Sequence, residues 1–373
     1  MDQSDKNPNR RLGVIPKWSE LCPDLLRSIF EQLSLTNLNR AKLVCRSWNS
    51  ASRGCVPKRN QIPWLIVFPE KNENNSSNNC VLFVPDDKDK VYKTRDLGVD
   101  FAQSCCLATY GSWLLMYDHL QNLHILNPLT LERVDLPHSA SIFPNKRNPN
   151  FRCNRSACLW IDDITKDYLV VWLIDYKSYF AKKGDDTWLP AGLFWNDQII
   201  YNHKDHKVYQ YSSSYLCVWD FASDIPHVDK HHLPVRSTDH QIGDDNRFNL
   251  VSHQIVTSLS GEVVLVKIMH HYNLPIWRFR VYELNLLTET LVKIDSLGDA
   301  AIILDMSITV VAKDIPGIKK NSIYFSGLDH PTTDPKRKFV YDLNTGAIER
   351  LPQCVFSSML FSDSRWFLPG FKG

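Results

Sequence analysis

Leu123-His124-Ile125-Leu126-Asn127-Pro128-Leu129-Thr130, followed by Val134-Asp135-Leu136-Pro137, is the stretch on which the fold turns. It reads as an apolar strand, a turn of the form Asn-x-x-Thr, and a second strand that ends in Leu-Pro. Val281-Tyr282-Glu283-Leu284-Asn285-Leu286-Leu287-Thr288 leads in the same way to Leu291-Val292-Lys293-Ile294, and Phe339-Val340-Tyr341-Asp342-Leu343-Asn344-Thr345-Gly346 leads to Ile348-Glu349-Arg350-Leu351-Pro352. In each copy the asparagine (Asn127, Asn285, Asn344) is read as opening a tight hairpin, because its side chain can bond its own backbone. Weaker copies lie at Val91 to Leu97 and at Cys217-Val218-Trp219-Asp220. Neighbouring copies are roughly 45 to 65 residues apart, the scale of a four-stranded propeller blade.

The residues between these copies support the same reading. Trp64 to Phe68, Trp113 to Tyr117, Tyr168 to Leu173, Val263 to Val266 and Ile302 to Leu304 are rich in β-branched and aromatic side chains and bounded by turn formers. A β-sandwich would use roughly 100 to 150 residues and needs no such period. About 310 residues of recurrent hairpins suit a propeller of six or seven blades better. A closed propeller has no free edge, so Trp366 to Leu368 is expected to pair with Trp64 to Phe68. The asparagine-rich stretch 71–79 and the polar stretch Ser237 to Asn246 read as exposed blade loops.

Upstream the period changes from two to that of a helix. Pro23 suits a first helical position and Asp24 complements the positive end of the helix dipole. Leu25, Leu26, Ile29, Phe30 and Leu33 then form one apolar stripe, and a second helix is expected from an N-cap at Thr36 through Leu38, Ala41, Leu43, Val44, Cys45 and Trp48. Helices this short carry more apolar surface than they can bury against one another in about 40 residues. The expected fold class is therefore α+β multidomain, a small N-terminal helical bundle followed by an all-β propeller-like domain. Its divisions are a flexible N-terminus at 1–16, helices at 17–54, a proline-bearing linker at 55–63 and the propeller at 64–371.

Leu21-Cys22-Pro23-Asp24-Leu25-Leu26, then Ile29-Phe30, Leu33 and Ala41-Lys42-Leu43-Val44-Cys45-Arg46-Ser47-Trp48, resembles the F-box. One departure is that Cys22 separates Leu21 from Pro23, where the family usually has leucine and proline adjacent. The resemblance implies docking onto the small adaptor subunit of a cullin–RING (SCF-type) ubiquitin ligase, and through it the cullin. Leu21, Pro23, Leu26, Ile29, Phe30, Leu38, Val44, Cys45 and Trp48 would form or support that interface, with Leu26, Phe30 and Trp48 as anchors. Leu126-Asn127-Pro128-Leu129-Thr130, Asn321-Ser322-Ile323-Tyr324-Phe325-Ser326 and Arg365-Trp366-Phe367-Leu368-Pro369 look like the F-box-associated, kelch-like propeller of a large plant F-box family. That likeness implies a non-catalytic subunit whose propeller binds a protein target. An interaction scaffold that joins no ligase is the alternative, which the Cys22 departure leaves open.

Composition agrees. With 43 Lys plus Arg against 41 Asp plus Glu, a formal charge of +2 supplies no basic field for nucleic acid and points to protein partners. Ten cysteines without a Cys-x-x-Cys pair read as free thiols in a reducing compartment. Met1 to Lys17 has no apolar signal region, and the longest apolar run, Ala300 to Ala312, is interrupted by Asp305 and falls short of the roughly 20 residues of a membrane span. The expectation is a soluble intracellular protein, cytoplasmic and/or nuclear, with no membrane partner. No phosphate-binding glycine loop or Gly-x-Ser-x-Gly elbow is present. His203, His206, His227, His231 and His232 read as turn and strand histidines rather than metal ligands. Asp162-Asp163, Asp185-Asp186 and Asp244-Asp245 read as solvated turns rather than a glycosidase pair. Neither a catalytic residue nor a cofactor is expected.

Overall fold

The turn that opens on Asn127 shows why this chain folds into short antiparallel ribbons. The Asn127 Oδ1 accepts hydrogen bonds from the backbone N–H of Leu129 at 3.0 Å and of Thr130 at 3.2 Å. Leu131 then donates its N–H to the Asn127 carbonyl at 2.8 Å and takes a left-handed backbone at φ 68°. Asn285 binds Leu287 and Thr288 in the same way, with Glu289 at φ 52°. Asp162 binds Ile164 and Thr165 with Lys166 at φ 57°, and Asp342 binds Asn344 and Thr345 with Gly346 at φ 69°. Each is a four-residue turn closed by one left-handed residue, a twist that lets the next strand return alongside the last. The third copy departs from its reading: Asp342 opens that turn, and Asn344 instead accepts a hydrogen bond from Asn321 Nδ2 at 2.8 Å. A carboxylate accepts as well as an amide oxygen, so Asp-x-x-Thr spells the same turn as Asn-x-x-Thr.

The structure is a computed structural model, and it describes the chain apart from residues 1–17, 34, 54, 56–62, 70–77, 85–90, 99–100, 102–103, 119, 121, 139–156, 175–176, 194–197, 213–214, 224, 233–246, 259, 275, 313–317, 327–337, 352–360 and 370–373. The N-terminal stretch, most of the linker and the loops read at 71–77 and 237–246 lie outside the described residues. Two compact units divide the chain, Met1–Arg59 and Asn60–Gly373.

The second unit is all β. Its strands are β1 (Trp64–Pro69), β2 (Val81–Phe83), β3 (Val91–Lys93), β4 (Cys105–Tyr110), β5 (Trp113–Tyr117), β6 (Leu123–Leu126), β7 (Arg133–Asp135), β8 (Ala157–Ile161), β9 (Tyr168–Ile174), β10 (Lys177–Lys182), β11 (Leu189–Leu193), β12 (Gln198–Asn202) and β13 (Lys207–Ser212). They continue as β14 (Tyr215–Asp220), β15 (His227–His232), β16 (Phe248–Thr257), β17 (Val263–His271), β18 (Trp277–Asn285), β19 (Thr290–Ile294), β20 (Ala300–Ile303), β21 (Ile308–Val311), β22 (Ser322–Ser326), β23 (Lys338–Asp342), β24 (Ile348–Arg350) and β25 (Phe361–Phe367). Strands β4–β7, β8–β11 and β12–β15 form successive four-stranded sheets, and a fourth has the order β25-β1-β2-β3. A nine-stranded sheet holds two further blade-sized units, β16–β19 and β20–β24, joined where Thr257 pairs in parallel with Ile308. The described strands thus make six blades. First strands of successive blades lie side by side, β25 with β4, β4 with β8, β8 with β12 and β12 with β16, as the innermost strands of a propeller do.

The closure expected from the sequence is present. Trp64 pairs with Phe367 and Leu65 with Trp366 in an antiparallel ladder between β1 and β25. The core is a series of clusters shared between neighbouring blades rather than one central mass. Leu107, Trp113 and Leu115 meet Leu159, Val170 and Trp172, while Leu65 and Trp366 meet Ile303, Tyr324 and Val340. Trp64, Trp113, Trp172 and Trp366 are fully buried, each removing roughly 150–250 Å² from water. At the seam, Lys338 Nζ bonds Asp305 Oδ2 at 2.5 Å and the Ser364 carbonyl at 3.1 Å, tying the last full blade to the closing strand.

Candidate protein-binding surface

In the first unit, a short 3₁₀ turn (Trp18–Glu20) precedes α1 (Pro23–Phe30), α2 (Leu35–Ala41) and α3 (Arg46–Ala51). Pro23 stands in the first turn of α1 behind an extended Cys22 at φ −63°, ψ 150°. The helix start is therefore intact despite the Cys22 departure. The second helix read from the sequence is two. It begins at Leu35, one residue before the expected Thr36 cap, and stops at Ala41; Lys42 to Val44 turn, and α3 starts behind Cys45. Cys45 is extended (φ −160°, ψ 172°) and its Sγ accepts from the Trp48 N–H at 3.5 Å, capping α3. The Ser47 hydroxyl, 3.0 Å from Sγ, and that same N–H hold the thiol pKa below its ordinary value.

The helices meet around Leu26, Phe30, Leu38, Ala41 and Ala51, all buried, with Leu21, Leu33, Trp48 and Cys55 packed against them. Phe30 and Trp48 meet edge to face with centroids 5.3 Å apart, and Trp48 Nε1 donates to the Trp18 carbonyl at 3.2 Å. The outward apolar residues form a different set. Leu43 is 86% exposed, Trp18 67%, Val44 62%, Leu25 54% and Ile29 38%. Pro23 is also exposed.

The nine residues singled out by the F-box likeness therefore divide. Pro23, Ile29 and Val44 face outward, Leu26, Phe30 and Leu38 are interior, and Leu21 and Trp48 are half-buried supports. Cys45 is the half-buried cap of α3. Leu26 and Phe30, read as interface anchors, are instead buried with Leu38 in the one small centre on which the three helices converge. Leu25, Leu43 and Trp18 are exposed apolar residues outside that set. The adjacent pair Leu43-Val44, just before a capping residue, is the signal that marks two of the exposed positions as a turn rather than a helix.

Among the described residues, the histidines and carboxylates singled out in the sequence lie in turns and strands of the propeller. His206 Nδ1 shares a hydrogen bond of 2.8 Å with the Tyr201 hydroxyl, Asp205 accepts from the Tyr209 hydroxyl, and burial lowers the pKa of His203. Asp163 accepts from Trp113 Nε1, and Asp185 accepts from the Lys182 N–H at 2.7 Å. His227 meets Asp229 at 3.1 Å. Among the described residues no group of three or more His, Cys, Asp or Glu could hold a metal ion, and no helix is long and apolar enough to cross a membrane. Asp244-Asp245 lies outside the described residues.

An F-box domain model matches residues 18–60, and a KIB1-4 beta-propeller model matches residues 81–342. A putative F-box protein of Arabidopsis thaliana is 78% identical over 377 residues, covering 100% of both chains. Another F-box protein of that plant is 48% identical over 376 residues, covering 95% of this chain and 97% of its own. Among solved structures, a protein of unknown function from Bacteroides caccae is 12% identical, with a TM-score of 0.38 over 82% of this chain and 98% of that one. The propeller reading holds, while the kelch-like label is not supported by the propeller type that matches. The two domain models and the Arabidopsis relatives agree with the helices and the ring of blades: the chain belongs to the F-box proteins that carry a KIB1-4 β-propeller.

Proposed function

We propose that this chain is the target-recognition adaptor of an SCF-type cullin–RING ubiquitin ligase, working in the cytoplasm or nucleus. The helical unit docks the ligase's small adaptor subunit and the propeller holds a protein target. The observation that carries this is the uncovered apolar set Leu25, Ile29, Leu43 and Val44 on an F-box fold whose interior is already filled. Pro23, Ile29 and Val44, joined by Leu25 and Leu43, make the contact. Leu21, Leu26, Phe30, Leu38 and Trp48 hold it in shape, with Cys45 capping α3. F-box proteins are generally non-catalytic, and the mechanism needs no chemistry from this chain. Fixing a target beside the transfer machinery makes ubiquitin transfer to a target lysine nearly intramolecular.

The partition of side chains defines the test. Leu43→Asp with Val44→Asp alters exposed positions, so the fold should persist while capture of the ligase adaptor subunit in a pull-down falls about tenfold or more. Phe30→Ala should instead destabilise the helical unit by about 3–5 kcal/mol, seen as loss of its helical signal on mild heating. Equal adaptor recovery by wild type and the folded Leu43→Asp, Val44→Asp variant would defeat the ligase assignment and leave a propeller scaffold in its place.

A further inference from the structure

Strands β16, β17 and β18 are 10, 9 and 9 residues long, whereas no other described strand exceeds seven. Their far ends form a ribbon tip. Phe248 pairs with His271, Leu250 with Met269 and His270 with Trp277, and the Tyr272 N–H donates to the Arg247 carbonyl at 3.1 Å. A blade needs about five residues per strand to span its sheet, so the additional length is available for another purpose. At this tip Tyr272 and Val251 are each 50% exposed, Leu274 48%, Leu250 46% and Ile276 44%. Single exposed apolar residues are ordinary, but five gathered at one tip are a mark of an interaction site.

The charge at the tip is mostly basic. Arg247, Lys267, His270, His271, Arg278 and Arg280 lie on the ribbon, whose acidic residues Glu262 and Glu283 sit at the opposite end, while Asp244-Asp245 precede Arg247 in the sequence. The pairing places Lys267 opposite Arg280 and Met269 opposite Arg278, and the Arg278 guanidinium lies 4.1 Å from the Phe248 ring centroid. Basic and apolar groups therefore share one sheet face. We infer that this tip binds a linear segment of a partner protein in which carboxylates alternate with large apolar side chains. The apolar residues seat on Leu250, Tyr272, Leu274 and Ile276, and the carboxylates meet Arg247 and Arg278. This rests on the reading of the propeller as the part that holds the target, and it names the chemistry of what is held.

A display library of short random linear peptides selected on the full chain tests it. The expected result is enrichment of Asp and Glu interspersed with Leu, Phe or Trp. Binding of the selected peptides should weaken about tenfold or more in a Leu274→Asp, Arg278→Glu variant with an unchanged melting curve. Leu287→Asp, at a 97% exposed position in the turn after β18, should bind them like wild type. Selection of neutral or basic sequences, equal binding by the tip variant, or self-association of the chain that the tip variant abolishes would each overturn the inference. Adaptor capture by the same variants is a separate readout on the helical unit, so failure of the peptide result and failure of the ligase assignment are distinguishable.

Discussion

The two units solve the same problem, hiding apolar side chains, with opposite results. In the helical unit a handful of buried residues around Phe30 and Leu26 exhausts the interior, and Leu43 stays 86% exposed. In the propeller every blade lends one face to each neighbour, and even Trp64, Trp113, Trp172 and Trp366 disappear from solvent. The difference is one of surface against volume: a few short helices cannot enclose what their stripes present, whereas a ring of sheets has neighbours on both sides. The ring of sheets buries its largest side chains, whereas the small bundle leaves large apolar side chains exposed.

The sharpest way to break this contrast is to open the ring. Deleting residues 364–373 removes Trp366 and most of the β25 ladder, and should lower the thermal stability of the β unit more than any single substitution. Trp366→Ala alone should cost about 3–5 kcal/mol in a denaturant melt. Adaptor capture by the helical unit should persist in both. An unchanged melting curve after the deletion would show that the ring does not depend on its closing strand.

A comparable effect is expected at the seam. The side chains of Lys338 and Asp305 are 4% and 11% exposed, so Lys338→Met leaves a buried carboxylate without its cation and should cost about 3–5 kcal/mol. Combining it with Asp305→Leu should recover most of that loss, because the unpaired charge is then gone. A double variant as unstable as the single would show that the contact to the Ser364 carbonyl, rather than the ion pair, holds the seam.

The smallest effect is a pH dependence confined to the propeller. His253 on β16 lies against the Tyr211 ring at 5.4 Å, and burial, reinforced by Lys267, pushes its pKa down from 6.5 to about 4. An unfolded chain then binds a proton that the folded one refuses between those values. Stability should decline as the pH falls from about 6.5 towards 4 and level off below. His253→Phe should flatten that slope in melts recorded across the range, and an unaltered slope would assign it to other groups.

Much of this molecule was legible in the order of its residues. The Asn-x-x-Thr turns announced hairpins because an acceptor at that position bonds the two N–H groups that follow, a local effect that needs no neighbour. The pairing of Trp64 to Phe68 with the last strand followed from a general demand that a propeller leave no open edge. The F-box helices were readable from Pro23 and the spacing of Leu26, Ile29 and Phe30. Only the tertiary structure decided which members of that stripe face inward. It broke the second helix at Leu43-Val44, fused two blades through Thr257 and Ile308, and lengthened β16 to β18 into a ribbon with a basic, apolar tip. Turn chemistry acts within a few residues and can be read along the chain, whereas burial and strand pairing depend on which distant segment arrives alongside.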